Sequence, residues 1–256
     1  METLEDIKWV DTHCHLQLIG DKIHEKDISN LEYFIIPGID IESSIKARDF
    51  SLSYPRNSYW SAGLHPHEAD GLEDLKQELL SLMQESDLIG ETGLDYYRNL
   101  SSKDNQIKNF EFHLNVAEEL NKPLIIHCRD AFSDVFDILS TKDANNPIIL
   151  HSWTGGNKWT KRFVELGVYF SISGIITYDT AHDLQAAVTK IPRDRLLLET
   201  DVPYLSPQPF KGKKNNPTYI KYTGAKVAEL LNLTPNELSE ITISNTNKVM
   251  NRDIYE

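Results

Sequence analysis

Along the chain, short apolar runs that stop at a polar residue or a glycine alternate with longer stretches whose apolar residues recur at three- and four-residue steps. That is the pattern of successive strand and helix units. The runs predict strands near Lys8 to Thr12, Tyr33 to Pro37, Ser58 to Gly63, Leu88 to Gly90, Pro123 to Ile126, Pro147 to Leu150, Val168 to Ile172 and Arg195 to Leu198. The clearest helix sets Ile107, Phe110, Leu114, Ala117 and Leu120 on one face. A last helix is predicted after Thr234, where threonine caps, Pro235 takes the first turn and Glu237 closes a capping box.

Eight strands that each feed a helix, in 256 residues, fit a single-domain (β/α)8 TIM barrel over residues 1–256 better than an open doubly wound sheet. No G-x-G-x-x-G fingerprint follows the first strand, which counts against a dinucleotide-binding fold. No sequence repeat and no linker-like tract interrupts the pattern.

Composition narrows the setting. No apolar run approaches the roughly 20 residues that cross a bilayer, and the opening METLEDIKW is acidic where a secretory signal is basic and then apolar. A cytoplasmic protein without membrane association is therefore expected. Cys14 and Cys128 stand in strand contexts that predict burial, and no disulfide is expected. A net charge of -13 opposes the broad basic surface that grips duplex DNA, so any nucleic-acid contact must be local. Bound divalent cations would supply such local charge.

In a barrel, reacting groups stand at the C-terminal ends of different strands. There the sequence places His13 and His15 after strand one, His65 after strand three, Glu91 after strand four, His127 after strand five and His151 after strand six. Glu199 and Asp201 follow strand eight, while strands two and seven end in Pro37-Gly38 and Ser173-Gly174. Alternation puts Asp11, His13 and His15 on one face and Thr12 and Cys14 on the other, so neither Cys14-His15 nor His127-Cys128 makes a thiolate-imidazole pair.

An isolated H-x-H is a weak signal, but the recurrence of Glu91, His127, His151 and Asp201 at corresponding strand ends points to a metal site. Four imidazoles and two carboxylates exceed what one zinc with an open position uses, whereas two divalent ions about 3.5 to 4 Å apart would use them all. The expected assignment gives His13, His15 and Asp201 to one ion, His127 and His151 to the other, and Glu91 to both. Mixed nitrogen and oxygen donors suit zinc, manganese or magnesium.

The bland reading fits other candidates. His67 reads as a loop residue, and His24, His113 and His182 as solvent-facing or core-satisfying. Trp153, Trp159, Tyr96 and Tyr97 read as packing, although those beside strand ends could stack a base or sugar. The run Lys211 to Pro217 follows strand eight, where barrels of this kind often hold phosphate, and Arg129, on the face of His127, could hold a phosphate oxygen.

Five segments in one order carry a resemblance: Val10-Asp11-Thr12-His13-Cys14-His15-Leu16, Gly63-Leu64-His65-Pro66, Gly90-Glu91-Thr92-Gly93-Leu94-Asp95-Tyr96, Pro123-Leu124-Ile125-Ile126-His127-Cys128-Arg129 and Leu197-Leu198-Glu199-Thr200-Asp201-Val202-Pro203. Over about residues 8 to 250 the chain resembles the TatD family of metal-dependent deoxyribonucleases, among the amidohydrolase-like barrels. The resemblance implies a TIM barrel, a divalent-metal centre built from the residues already named, and hydrolysis of phosphodiester bonds in DNA. Single strands or strand ends are the expected substrate, with no obligate protein partner.

The chain departs from the family's pattern in places. Thr92 stands where isoleucine or valine is usual, and His151 leads into Ser152-Trp153-Thr154-Gly155 where a phenylalanine-serine pair is typical. Lys211, Lys214 and Asn216 occupy a loop that commonly carries arginines and a glutamate, replacing a planar fork with point charges.

On this reading the ions bring the pKa of a water near neutrality for in-line attack on phosphorus, with Glu91 bridging them. Asp201 is the expected general base, and His65 stabilises charge on a phosphoryl oxygen. Arg129, Lys211 and Lys214 position the strand, and Asp11 and Glu199 brace the metal-binding residues from behind. A rival reading keeps the metal and changes the bond, as in ester hydrolysis on D-aminoacyl-tRNA. Glu91, standing where many amidohydrolase barrels carry a modified lysine, argues for the nuclease branch. A non-catalytic protein with a structural metal fits least, because structural sites are closed and this one is over-supplied with donors.

Overall fold

The structure, a computed structural model, describes residues 3–19, 23–142 and 145–252. All eight expected strands form: β1 (Trp9–Asp11), β2 (Leu31–Pro37), β3 (Ser58–Ala62), β4 (Leu88–Asp95), β5 (Leu124–Arg129), β6 (Ile148–Leu150), β7 (Tyr169–Ile172) and β8 (Leu196–Leu198). They lie in one sheet in sequence order. The Thr12 N–H donates to Leu198 O at 3.0 Å, joining the end of β1 to the end of β8. With helices between successive strands, this is a (β/α)8 TIM barrel. No helix among the described residues is long and apolar enough to cross a membrane.

The chain divides into two compact units, Met1–Ile35 with Ser152–Glu256, and Ile36–His151. In the first, β1 pairs in parallel with β2, setting Val10 against Tyr33 and Asp11 against Phe34, and β7 pairs with β8. Trp9, Phe34, Phe163 and Phe170 are fully buried there. In the second, β3 to β6 pair in order, over a core that includes Leu64, Leu79 and Phe110. Parallel strands covered on both faces have no solvent face to keep polar, which is why they read as unbroken apolar runs.

The expected helices form where their signals stand. Lys103–Leu120 is helical and buries Phe110, Leu114 and Ala117. Pro235–Val249 begins with the capping box: Thr234 Oγ1 accepts from the Glu237 N–H, and the Glu237 carboxylate accepts from the Thr234 N–H at 2.8 Å.

Two strand ends differ from expectation. β4 runs on to Asp95 instead of stopping at Gly90, so Glu91 lies inside a strand. Thr92 to Asp95 pair with Ile126 to Arg129, after a register shift between Ile89 and Thr92. An extra residue of this kind re-aims side chains beside functional sites. Gly90 and Gly93, at φ 110° and 131°, look like strand breakers in sequence, but close approach requires them. A Cβ on Gly90 would lie 2.5 Å from Ile125 O, and one on Gly93 would lie 2.0 Å from His127 O.

After β8 two-residue alternation does not carry on to Glu199 and Asp201, for a local reason. β8 ends at Leu198, and Asp201 takes the left-handed conformation at φ 57°, which breaks the two-residue alternation.

Candidate metal centre

In the first unit, His13, His15 and Asp201 meet. His13 Nε2 lies 3.1 Å from His15 Nε2, and Asp201 Oδ1 lies 3.9 Å from the former and 3.5 Å from the latter. All three residues are buried. Backbone bonds set their positions: the His15 N–H donates to Val202 O at 2.8 Å, and the Asp201 N–H donates to His13 O at 2.9 Å.

Asp11 clamps the same junction. One of its oxygens accepts the Thr200 N–H at 2.9 Å and the His13 N–H at 3.3 Å, and the other accepts the Thr200 hydroxyl at 2.5 Å. Burial pushes its pKa up to about 7, with a further push from the charge of Glu199, against the pull of the Thr200 and His13 donors. Glu199 is itself fully buried. The Asn215 amide donates to Thr200 O and Tyr204 O at 2.8 and 2.6 Å, holding the loop after β8 from its far side.

In the second unit, one oxygen of Glu91 gathers three imidazole nitrogens: His151 Nε2 at 3.0 Å, His127 Nδ1 at 3.2 Å and His65 Nε2 at 3.4 Å. His127 Nδ1 and His151 Nε2 are 3.2 Å apart. Behind them stands Asp95, whose Oδ2 lies 3.2 Å from His127 Nε2 and 2.9 Å from His67 Nε2. Asp95 Oδ1 accepts the Arg98 N–H at 2.8 Å. Gln106 Oε1 accepts the Asp95 N–H at 2.9 Å, which fixes the backbone beneath.

Protonation follows from these contacts. Burial opposes the charged form of Asp95, but donors on His127, Arg98 and His67 overcome it and hold the carboxyl well below the usual carboxylate range. Burial likewise opposes charge on His127, yet Asp95 and Glu91 outweigh it and raise its pKa. His65 goes the other way: burial lowers its pKa to about 4, despite the pull of Glu91. Because its Nδ1 accepts the His67 N–H at 3.2 Å, neutral His65 carries its proton on Nε2, facing Glu91.

The segment leading into His65 is held by a buried helix face. His113 Nε2 accepts the Leu64 N–H at 3.0 Å while its Nδ1 donates to Asn109 O at 2.7 Å, and the Asn109 amide donates to Leu64 O at 2.7 Å. His113 thus satisfies the core, and burial lowers its pKa to about 4.

The donors fit a divalent metal. Ligand atoms about 2.0 to 2.2 Å from one ion stand roughly 3.0 to 3.6 Å apart at octahedral to tetrahedral angles. His127 Nδ1 and His151 Nε2 lie 3.2 and 3.0 Å from the Glu91 oxygen and 3.2 Å from each other, while in the other set His15 lies at 3.1 and 3.5 Å from His13 and Asp201, which stand 3.9 Å apart. Buried imidazoles beside carboxylates form the mixed nitrogen and oxygen set that zinc or manganese accepts.

Of the residues singled out in sequence, His13, His15 and Asp201 converge with Asp11 beside them, and His65, Glu91, His127 and His151 converge separately. Arg129 is exposed, with its guanidinium carbon 3.9 Å from the centre of the Tyr97 ring. Lys211 and Lys214 lie in an exposed loop, Lys211 with its ammonium 4.2 Å from the Tyr178 ring centre. Trp153 packs, donating from Nε1 to Thr160 at 2.9 Å. Both cysteines are buried free thiols whose pKa burial raises, the reverse of a reactive cysteine.

Two residues escaped the sequence reading. Asp95 receives no site role from the sequence because the predicted strand four stops at Gly90; carried through Gly93, two-residue alternation puts Asp95 on the face of Glu91. His67 is no bystander in a loop, since it pairs with Asp95. The spacing His65-Pro66-His67 repeats that of His13-Cys14-His15 and was the available signal.

The family model described as TatD related DNase matches residues 10–251. The chain is 34% identical over 251 residues to YabD of Bacillus subtilis, covering 93% of this chain and 97% of that one. It is 32% identical to YcfH of Escherichia coli K12, covering 95% and 96%. Both relatives are described as uncharacterized metal-dependent hydrolases. The crystal structure of YJJV, a TatD homolog from Escherichia coli, matches with a TM-score of 0.88 and 26% identity, covering 96% of this chain and 98% of that one.

Proposed function

The chain belongs to the TatD-related DNase family and is a metal-dependent hydrolase; on that footing we propose that it cleaves phosphodiester bonds of DNA with the help of two divalent ions. The strongest support is the convergence of three imidazole nitrogens on one oxygen of Glu91, with Asp95 placed behind His127. His13, His15 and Asp201 would hold one ion, and Glu91, His127 and His151 the other. When bound, such an ion supplies Lewis acidity, making a water acidic near neutral pH and offsetting charge on a phosphoryl oxygen.

The side chains divide the remaining work. Asp201 accepts the proton of the attacking water. Neutral His65 presents its Nε2–H to a phosphoryl oxygen, a donor that costs no proton transfer when negative charge develops. Asp95 accepts from His127 Nε2–H and so turns the Nδ1 lone pair toward the metal position. Asp11 ties the His13 amide to Thr200 and keeps Asp201 in register with the two histidines.

Incubating the purified protein with single-stranded DNA and with D-aminoacyl-tRNA, before and after chelation, tests this reading. The expected result is DNA cleavage that chelation abolishes and added zinc, manganese or magnesium restores. Deacylation of the tRNA with intact DNA overturns it.

A further inference from the structure

Two large aromatic side chains are exposed among the described residues, Tyr97 at 61% and Tyr204 at 55%, and of these Tyr97 stands against a guanidinium. Tyr97 lies in the loop after β4, two residues beyond Asp95. Arg129 ends β5 directly opposite Asp95, and its guanidinium carbon lies 3.9 Å from the centre of the Tyr97 ring. The Tyr96 N–H donates to Arg129 O at 2.9 Å, and the Arg98 N–H donates to Asp95 at 2.8 Å. The ring and the guanidinium therefore stand on the backbone that carries Asp95 and His127, not on a loose loop.

The chemistry of this pair is specific. Arg129 and Arg98 are exposed and enter no ion pair with another described residue, in a chain whose net charge is -13. A guanidinium stacked on one face of a tyrosine keeps its N–H edge for a phosphate and leaves the other face of the ring open. Bases inside a duplex are already covered on both faces by their neighbours, so along a strand only an unpaired base can lie on that ring. The acidic chain disfavours a long duplex contact for a separate reason.

We propose that Tyr97 and Arg129 form a stacking platform for one unpaired nucleotide of a DNA strand, the base lying on the open face of Tyr97 and a phosphate oxygen of the same strand held by Arg129. The proposal rests on the phosphodiesterase reading and adds to it the two residues, Tyr97 and Arg129, that would hold the single strand which the family resemblance implies. Stacking of a base on an aromatic side chain is lost on truncation to alanine with a weakening of about tenfold to a hundredfold.

Binding of the metal-loaded protein to a fluorescein-labelled, phosphorothioate single strand, followed by fluorescence anisotropy, is the test. Tyr97→Ala should raise Kd about tenfold or more, and Tyr97→Phe, which keeps the ring, should leave it within about twofold. On an abasic strand of the same length, wild type and Tyr97→Ala should bind alike. The platform is overturned by a Tyr97→Ala protein that folds normally and binds the base-bearing strand as wild type does, or that loses equal affinity for the abasic strand. A wild type that binds through Tyr97 but cleaves no DNA sinks the nuclease reading and leaves the platform standing. Cleavage indifferent to Tyr97→Ala does the reverse.

Discussion

His13, His15 and Asp201 come from the ends of two three-residue strands, whereas His65, Glu91, His127 and His151 follow or lie within four different strands, among them the eight-residue β4 and the six-residue β5. The first cluster is held by backbone bonds between the two chain segments and by Asp11, which accepts from both. The second is held by side-chain charge: Glu91 gathers imidazoles from within, and Asp95 grips His127 and His67 from behind. Two sets of similar donors can thus be positioned by different physics. One depends on where two strand ends meet, the other on carboxylates set among imidazoles.

Removing the charge at the centre of the second cluster is the most severe way to separate the two. Glu91→Gln keeps the shape and an acceptor oxygen but removes the carboxylate charge that faces three imidazole nitrogens; hydrolysis should fall below detection, and elemental analysis should find less metal per chain. Retention of full metal and activity would mean that Glu91 is packing alone.

Asp95→Asn acts one layer out. Metal affinity or activity should drop about tenfold to a hundredfold, the usual cost of losing the group that orients a ligand histidine. The substitution also changes the acid limb of stability. A carboxyl held below its ordinary 3.8 stabilises the fold above that pH, and the contribution disappears as pH falls further. Thermal melts of chelated protein should therefore show a shallower decline below about pH 4 in the variant than in wild type.

Two substitutions probe the supports. Wild type buries a neutral His113 whose pKa falls from an ordinary 6.5 to about 4, so the fold should lose up to about 3 kcal/mol as pH drops through that window. His113→Phe should remove that part of the slope and, by leaving the buried Leu64 N–H unpaired, cost about 1 to 3 kcal/mol at pH 7. Asp11→Asn keeps one acceptor oxygen in the first cluster and should cost less, about 1 to 2 kcal/mol by urea midpoint, while halving the clamp on Thr200. If Asp11→Asn proved the more damaging, the backbone bonds would not be what holds His13, His15 and Asp201.

The eight strands were legible because doubly covered parallel strands must be apolar throughout, so their existence is written in composition over four or five residues. The capping box at Thr234 and the buried face of Lys103–Leu120 were legible for an equally local reason, since each involves residues within a few positions of one another. Ligand-type residues at successive strand ends could also be named one by one, because barrel topology sends every strand end to the same rim.

The order of elements and the ligand-type residues directly after each predicted strand are therefore written in the chain. Tertiary structure alone decided the length of β4, because Gly90 and Gly93 break or continue a strand according to whether the carbonyls of Ile125 and His127 lie against them. It alone drew His67 and Asp95 into the second cluster, turned Asp201 out of alternation at φ 57°, and laid the guanidinium of Arg129 on Tyr97. Each of these depends on groups distant in the chain or on a backbone angle that no residue pattern encodes.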